Sequence, residues 1–227
     1  AIFLSSLNKP KKYIPLDISE DYITKISQRF KKKFPKITIT PRGYDFSGNN
    51  KLPFKINSSE NIIIFFPGST IGNFEKKDAI KFLKMLKSKF KAKKIIIGAD
   101  LVKDIPTLIS AYDDKKGITA KFNKNILKRI NTELDGNINL DSYKHLAIYN
   151  KSKNRIEMKL KSKKNNNIRI NGSKYLIKKN EEIHTENSHK YTIKSFNNLV
   201  NEAGWKIKKT WVDDKKLFSV HCLDLDI

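Results

Sequence analysis

Over the first hundred residues the chain alternates short apolar runs with amphipathic stretches. KYIPLDIS (12–19) reads as a short strand closing in Asp17. EDYITKISQRFKKKF (20–34) places Ile23, Ile26, Phe30 and Phe34 on one stripe at helical spacing. ITITPRGYDF (37–46) predicts a second strand with a turn from Pro41 to Gly43. NIIIFF (61–66) has no polar alternation, as expected of a parallel strand covered on both faces. EKKDAIKFLKMLKSKF (75–90) gives a helix through Ala79, Leu83, Leu86 and Phe90, and KKIIIGADLVKD (93–104) another buried strand. This β-α-β-β-α-β order predicts an α/β fold on a doubly wound sheet.

The rhythm breaks after Asp104. TAKFNKNILKRINTEL (119–134) predicts a helix capped by Thr119, with Phe122, Ile126, Ile130 and Leu134 as its apolar stripe. Three strand-like pieces follow, KHLAIYN (144–150), NRIEMKLKSK (154–163) and KYLIKKNEEIHTE (174–186). The polar tract KNNNIRINGS (164–173) between the last two reads as a surface loop or hairpin. The α/β pattern then returns. YTIKSFNNLVNEAGW (191–205) is a helix opened by Thr192 and stopped by Gly204, ahead of an antiparallel hairpin around DDKK. The expected organisation is an α/β domain over 1–104 and 190–227, with an inserted α+β lobe over 105–189.

Composition narrows the possibilities. A chain of 227 residues suits one large domain, or one domain carrying an inserted lobe. One cysteine, Cys222, excludes a disulfide framework and fits a reducing, cytoplasmic setting. No run of about 18 apolar residues occurs, so no membrane span is expected. The net charge of +24 invites a nucleic-acid reading. However, only five of the 47 basic residues are arginine (Arg29, Arg42, Arg129, Arg155, Arg169), the residue suited to bidentate phosphate and base contacts. The lysines read as solvated surface, with no nucleic-acid partner expected.

Candidate chemistry collects at strand ends, where ligands of α/β sheets bind. Those positions are Asp17, Asp45, the turn from Gly68 to Asn73, and Asp100. The turn is neutral and lacks the Gly-Lys-Ser/Thr of a phosphate loop, so its ligand is not expected to be a phosphate. An acid ending the second strand can take both hydroxyls of a ribose. Asp45 with Phe46 offers an acceptor and a ring to an adenine. Each Asp alone also suits a turn or a helix cap. No His–Cys spacing indicates a metal, and none is expected.

FPGSTIGNF (66–74), GADLVKD (98–104), AYDD (111–114), RIEM (155–158) and EIHTENSHKY (182–191) resemble, in order and spacing, the histidine-specific Nα-methyltransferase family of ergothioneine biosynthesis. The resemblance implies a class I methyltransferase sheet, S-adenosylmethionine as cofactor and trimethylation of the α-amine of L-histidine to hercynine; a monomer is expected. Asp17, Asp45 and Phe46, from their places at the strand ends, are the expected cofactor-binding residues, and the resemblance implies that Gly68 lines the substrate. Asn73 would be the catalytic residue holding the α-amine, Tyr112 would bind the carboxylate, Glu186 and Ser188 would grip the imidazole, and Met158 would line the pocket. The bland alternatives are Asn73 as a helix N-cap, Tyr112 as a helix-end core residue, and Met158 as plain core. The family's E-x-G-S-G turn is missing, so the expectation is an N-terminally truncated member that binds cofactor poorly by itself. Competing readings are a related N-methyltransferase for another aromatic amino acid or derived amine, and a lysine-rich nucleic-acid-binding module.

Overall fold

The computed structural model describes residues 1–46, 50–57 and 59–225. It forms two compact units, Ala1–Glu60 with Lys89–Lys91, and Asn61–Ser88 with Ala92–Ile227.

In the first unit a short helix α1 (Ile2–Ser6) precedes strands β1 (Lys12–Tyr13) and β2 (Leu16–Asp17), helix α2 (Glu20–Lys33), and strands β3 (Thr38–Ile39) and β4 (Arg42–Gly43). The single strand expected over 12–19 is two, and so is the one over 37–46. β1 pairs parallel with β3, and β2 with β4. Proline explains the break. The amides of Thr38, Thr40, Arg42 and Tyr44 reach the carbonyls of Lys11, Tyr13, Pro15 and Asp17 in turn, but Pro15 has no N–H to return a bond. Ile23 of α2 is buried, and Tyr44 lies edge-on to Phe90 at 5.8 Å.

The second unit carries β5 (Ile63–Phe66), a 3₁₀ turn (Thr70–Asn73), α3 (Lys76–Ser88) and β6 (Lys94–Asp100). Next come α4 (Ile105–Tyr112), α5 (Ile118–Glu133), β7 (Tyr143–Asn150), β8 (Arg155–Ser162), β9 (Asn166–Ile170), β10 (Ser173–Ile177) and β11 (Glu182–His189). The unit closes with α6 (Ile193–Glu202), β12 (Trp205–Val212) and β13 (Phe218–Leu225). The main sheet is mixed, with order β12-β13-β6-β5: β5 and β6 run parallel, and the terminal hairpin pairs antiparallel to β6 through β13. This is the expected α/β class. α6 keeps its expected signals, a capping box between Thr192 and Ser195 and a left-handed Gly204 with φ 75°. Trp205, fully buried, donates from Nε1 to the Leu83 carbonyl of α3 at 2.9 Å.

β7, β8 and β11 form a separate antiparallel sheet in the order β11-β8-β7. The polar tract at 164–173 lies mostly in a hairpin, β9 with β10, turning at Asn171 (φ 48°) and Gly172 (φ 77°). The expected strand over 174–186 is therefore split between β10 and β11.

Three expectations need correction. β5 is parallel but is an edge strand among the described residues, and Phe65 is 45% exposed. α5 buries Asn123 and Leu127, while Phe122, Ile126 and Leu134 of the expected stripe are exposed. The packed face is set by side-chain amides: Asn123 bonds His145 and the Lys159 carbonyl, and Asn131 bonds both backbone groups of Ile138. Thr119 does not cap α5; the Asp114 carboxylate does, accepting from the amides of Ile118 and Thr119 at 3.0 and 2.7 Å. Those bonds hold the Asp114 carboxyl well below the usual range.

His221 of β13 is fully buried and stacks on Phe196, with ring centroids 4.4 Å apart. Ser219 gives its proton to the Ala99 carbonyl, so His221 Nε2 donates to Ser219 Oγ and Nδ1 accepts from Thr210 Oγ1. Burial pushes the imidazole down to about 4. A histidine depressed in the folded state binds a proton more readily when unfolded, so stability is lost as pH falls below about 6.5 and levels off below the folded value. At about 1.4 kcal/mol per pH unit, unfolding free energy should fall by about 2 kcal/mol between pH 7 and pH 5. Urea titrations at both pH values check this, and His221→Gln should remove most of the difference.

Candidate functional site

The site in the second unit starts from the turn after β5. Ser69 sits in the left-handed region, φ 57°, and its Oγ accepts the Asp100 amide at 2.9 Å. That bond ties the turn to the carboxyl end of β6. Ile71 is fully buried. Gly72 is pressed against β11, where a Cβ would stand 2.8 Å from the His189 carbonyl oxygen, so no larger side chain fits. Gly68 lies in the open, with Thr70 Oγ1 the nearest atom to a Cβ at 3.8 Å. Asn73 is exposed, and among the described residues its side chain makes no hydrogen bond. It does not cap α3. The Glu75 carbonyl takes the amides of Asp78 and Ala79, both at 2.9 Å.

The carboxyl end of β6 meets the segment after β11. The Tyr191 amide bonds the Asp100 carbonyl, and the Val102 amide bonds the Tyr191 carbonyl, both at 2.9 Å. This places Lys190, whose side chain is fully buried, beside Asp100. Its Nζ donates to Asp100 Oδ2 at 2.7 Å, Tyr112 Oη at 2.8 Å and Ser188 Oγ at 2.9 Å. Tyr112 Oη and Ser188 Oγ are themselves 2.7 Å apart. Asp100 also pairs with Lys103 at 2.5 Å. Reading every lysine as solvated surface therefore fails at Lys190 and Lys103. The strand-end acid Asp100 is committed to two cations and is not left for a cofactor.

Tyr112 and Ser188, expected at opposite ends of a ligand, thus belong to one polar cluster. Asp104 caps α4 by accepting the Thr107 amide at 2.8 Å, and the helix ends at Tyr112. His145 then holds that end. Its Nε2 donates to the Tyr112 carbonyl at 2.8 Å, while Nδ1 accepts from the Asn123 amide at 2.9 Å. His145 carried no motif in the sequence, and Asn123, within the stretch of family resemblance after AYDD, carried no assigned role.

Glu186 and Ser188 share a face by the ordinary alternation of a strand, and a β-bulge just before them decides which face that is. His184 pairs with Lys159 and Glu186 with the adjacent Met158, so Thr185 is the extra residue. The bulge flips the alternation. Glu182 lies on the outer side with Lys159 and Lys161, whereas Glu186 stands across from Met158 and Ser188 from Ile156. Met158 is buried in the cluster with Leu108 and Ile156, against which Tyr112 packs. It is core and lies opposite Glu186. Burial raises the Glu186 carboxyl above its ordinary range, with the Lys190 charge pulling the other way.

Asp17, Asp45 and Phe46 belong to the first unit. One oxygen of Asp17 accepts the Ser19 amide at 2.9 Å ahead of α2, so the turn reading of this residue is realised and the cap reading is not. Its second oxygen can still take a ribose hydroxyl. Asp45 is exposed two residues past β4, and the Phe46 ring is 6.1 Å from that of Tyr44. Acceptors and a ring at the carboxyl ends of parallel strands are the chemistry an adenosine requires. Among the described residues no cluster of His, Cys, Asp and Glu could hold a metal, and no helix is long and apolar enough to cross a membrane.

The family described as histidine-specific methyltransferase, SAM-dependent, matches residues 1–225. The histidine N-alpha-methyltransferase of Mycolicibacterium smegmatis is 30% identical over 207 residues, covering 89% of this chain and 63% of that protein. An L-tryptophan methyltransferase of Psilocybe serbica is 31% identical over 160 residues, covering 67% and 44%. A solved S-adenosylmethionine-dependent methyltransferase from Clostridium acetobutylicum superposes at a TM-score of 0.47 with 11% identity, over 95% of this chain and 75% of that one, too distant to bear on the site. The chain spans less than two thirds of the length of the mycobacterial relatives, 63% and 64%. With the family match running over residues of both units, the chain belongs to the SAM-dependent, histidine-specific methyltransferase family.

Proposed function

We propose that the protein containing this chain methylates the α-amine of L-histidine with S-adenosylmethionine and carries the reaction to the trimethylated betaine, hercynine. The observation that carries the reading is the bulge at Thr185, which sets Glu186 and Ser188 on the face holding Met158, beside Tyr112. An imidazole has one N–H donor and one bare nitrogen. A carboxylate and a hydroxyl two residues apart answer both. An indole offers a donor and no acceptor, which disfavours tryptophan for this pair. The segment 105–189 is the substrate lobe in this reading.

S-adenosylmethionine, when bound, supplies an electrophilic methyl group on a sulfonium, and Asp17, Asp45 and Phe46 are the residues suited to its ribose and adenine. The chain's own task is positioning. Asn73, neutral and with a free amide, can accept an N–H of the α-amine. It lacks the negative charge that would favour the unreactive ammonium form. Tyr112 is suited to the substrate carboxylate. Gly68 leaves the turn open beside the ligand. The lone Cys222 fits a cytosolic enzyme.

Two outcomes follow for the full-length protein. Incubation with L-histidine and S-adenosylmethionine should yield the trimethylated product by mass spectrometry, with L-tryptophan left unmodified. Methylation of tryptophan at a comparable rate would overturn the histidine assignment. Glu186→Ala should raise the Michaelis constant for histidine by about tenfold to a hundredfold, the loss of one hydrogen bond to a charged group. Calorimetry should find cofactor affinity unchanged in that variant. Equal losses for both ligands would make Glu186 a support of the fold.

A further inference from the structure

We propose that Lys190 is the positioning residue that makes the Tyr112–Ser188 pair a dedicated hydrogen-bond donor, and so selects substrates that carry an α-carboxylate. The inference rests on the histidine-methylating reading above and deepens it. Proton counting carries it. The ammonium has three protons, and each has an acceptor, on Asp100, Tyr112 and Ser188, at 2.7 to 2.9 Å. Both hydroxyl oxygens therefore accept from Lys190, and one hydroxyl donates to the other across 2.7 Å. Two hydroxyl protons minus one used between them leaves one. That proton has no acceptor within the cluster. Because Lys190 still donates to both oxygens, the bond between the hydroxyls can open when ligand binds, so that Tyr112 donates to the α-carboxylate while Ser188 donates to the bare imidazole nitrogen.

Charge points the same way. Asp100 faces two lysines, Lys103 and Lys190, so these three side chains together leave one positive charge behind the two hydroxyls, with the Glu186 carboxyl on the imidazole side of the same face. A group that donates a proton and stands before a positive charge suits an anionic acceptor, and in an amino acid that is the α-carboxylate. Lys190 itself has no proton to spare for the ligand. It acts through Tyr112 and Ser188.

The test compares L-histidine with histamine, which keeps the imidazole and the amine and lacks the carboxylate. Both are titrated calorimetrically into the full-length wild-type protein and its Lys190→Met variant. Wild type should favour histidine, and Lys190→Met should weaken histidine by about tenfold to a hundredfold while weakening histamine, which loses only the Ser188 contribution, clearly less. The variant keeps Asp100 paired with Lys103, so no buried acid is stranded. Lys190→Gln, which keeps donors without the charge, should restore part of the preference. In turnover, the loss should fall on the Michaelis constant for histidine. Equal weakening of both ligands, or unchanged affinity for histidine, would overturn the proposal by making Lys190 a structural residue or a bystander. A wild-type protein that binds no histidine would instead overturn the functional reading and this inference with it.

Discussion

The second unit depends on a charge buried where three segments end. Taking an ammonium out of water costs several kcal/mol unless its protons are fully accepted. Lys190 meets that demand only with the carboxylate ending β6, the hydroxyl ending α4 and the hydroxyl of Ser188 near the end of β11. The backbone agrees, because Tyr191 bonds to Asp100 and Val102 as a short parallel continuation of the main sheet. The main sheet and the three-stranded sheet are thus joined at the point where Tyr112 and Ser188 sit. Their placement is a consequence of satisfying one cation.

Around that joint the structure uses polar anchors where apolar packing would be less directional. Asn123 and His145 lock the end of α4 through the Tyr112 carbonyl. Arg155, buried in β8, bridges Glu75 ahead of α3 and Glu157 in its own strand. Hydrogen bonds of this kind fix orientation as well as distance, and buried networks rigidify when every member is satisfied. A site whose chemistry is positioning needs that property. The surrounding lysines add solvation and little order, since exposed ion pairs contribute about 0–1 kcal/mol.

The turn from Gly68 to Asn73 gains its meaning from its neighbours. Its neutral residues leave Asn73 exposed, while Ser69 and Gly72 do the anchoring, one to the Asp100 amide and one against the His189 carbonyl. One face of the turn holds the fold, and the other, with Asn73, is open and is the face proposed to meet the ligand.

Much of this was legible in the sequence. The helices α2, α3 and α6, the parallel pairing of β5 with β6 and the terminal hairpin follow from local periodicity and turn chemistry, which depend on near neighbours. The linked motifs identified the family, and the residues proposed to hold the imidazole were named as a pair. Other features needed the tertiary structure. Proline at position 15 broke a ladder whose partner lies more than twenty residues away. The stripe on α5 turned outward because Asn123 and Asn131 found partners in distant segments. The bulge at Thr185 reversed the alternation of β11, and a period of two has no sign of its own to mark such an insertion. Lysine composition gave no indication that one of so many would be buried. That is decided by whether three acceptors far apart in sequence converge on its ammonium, and only the folded chain brings them together.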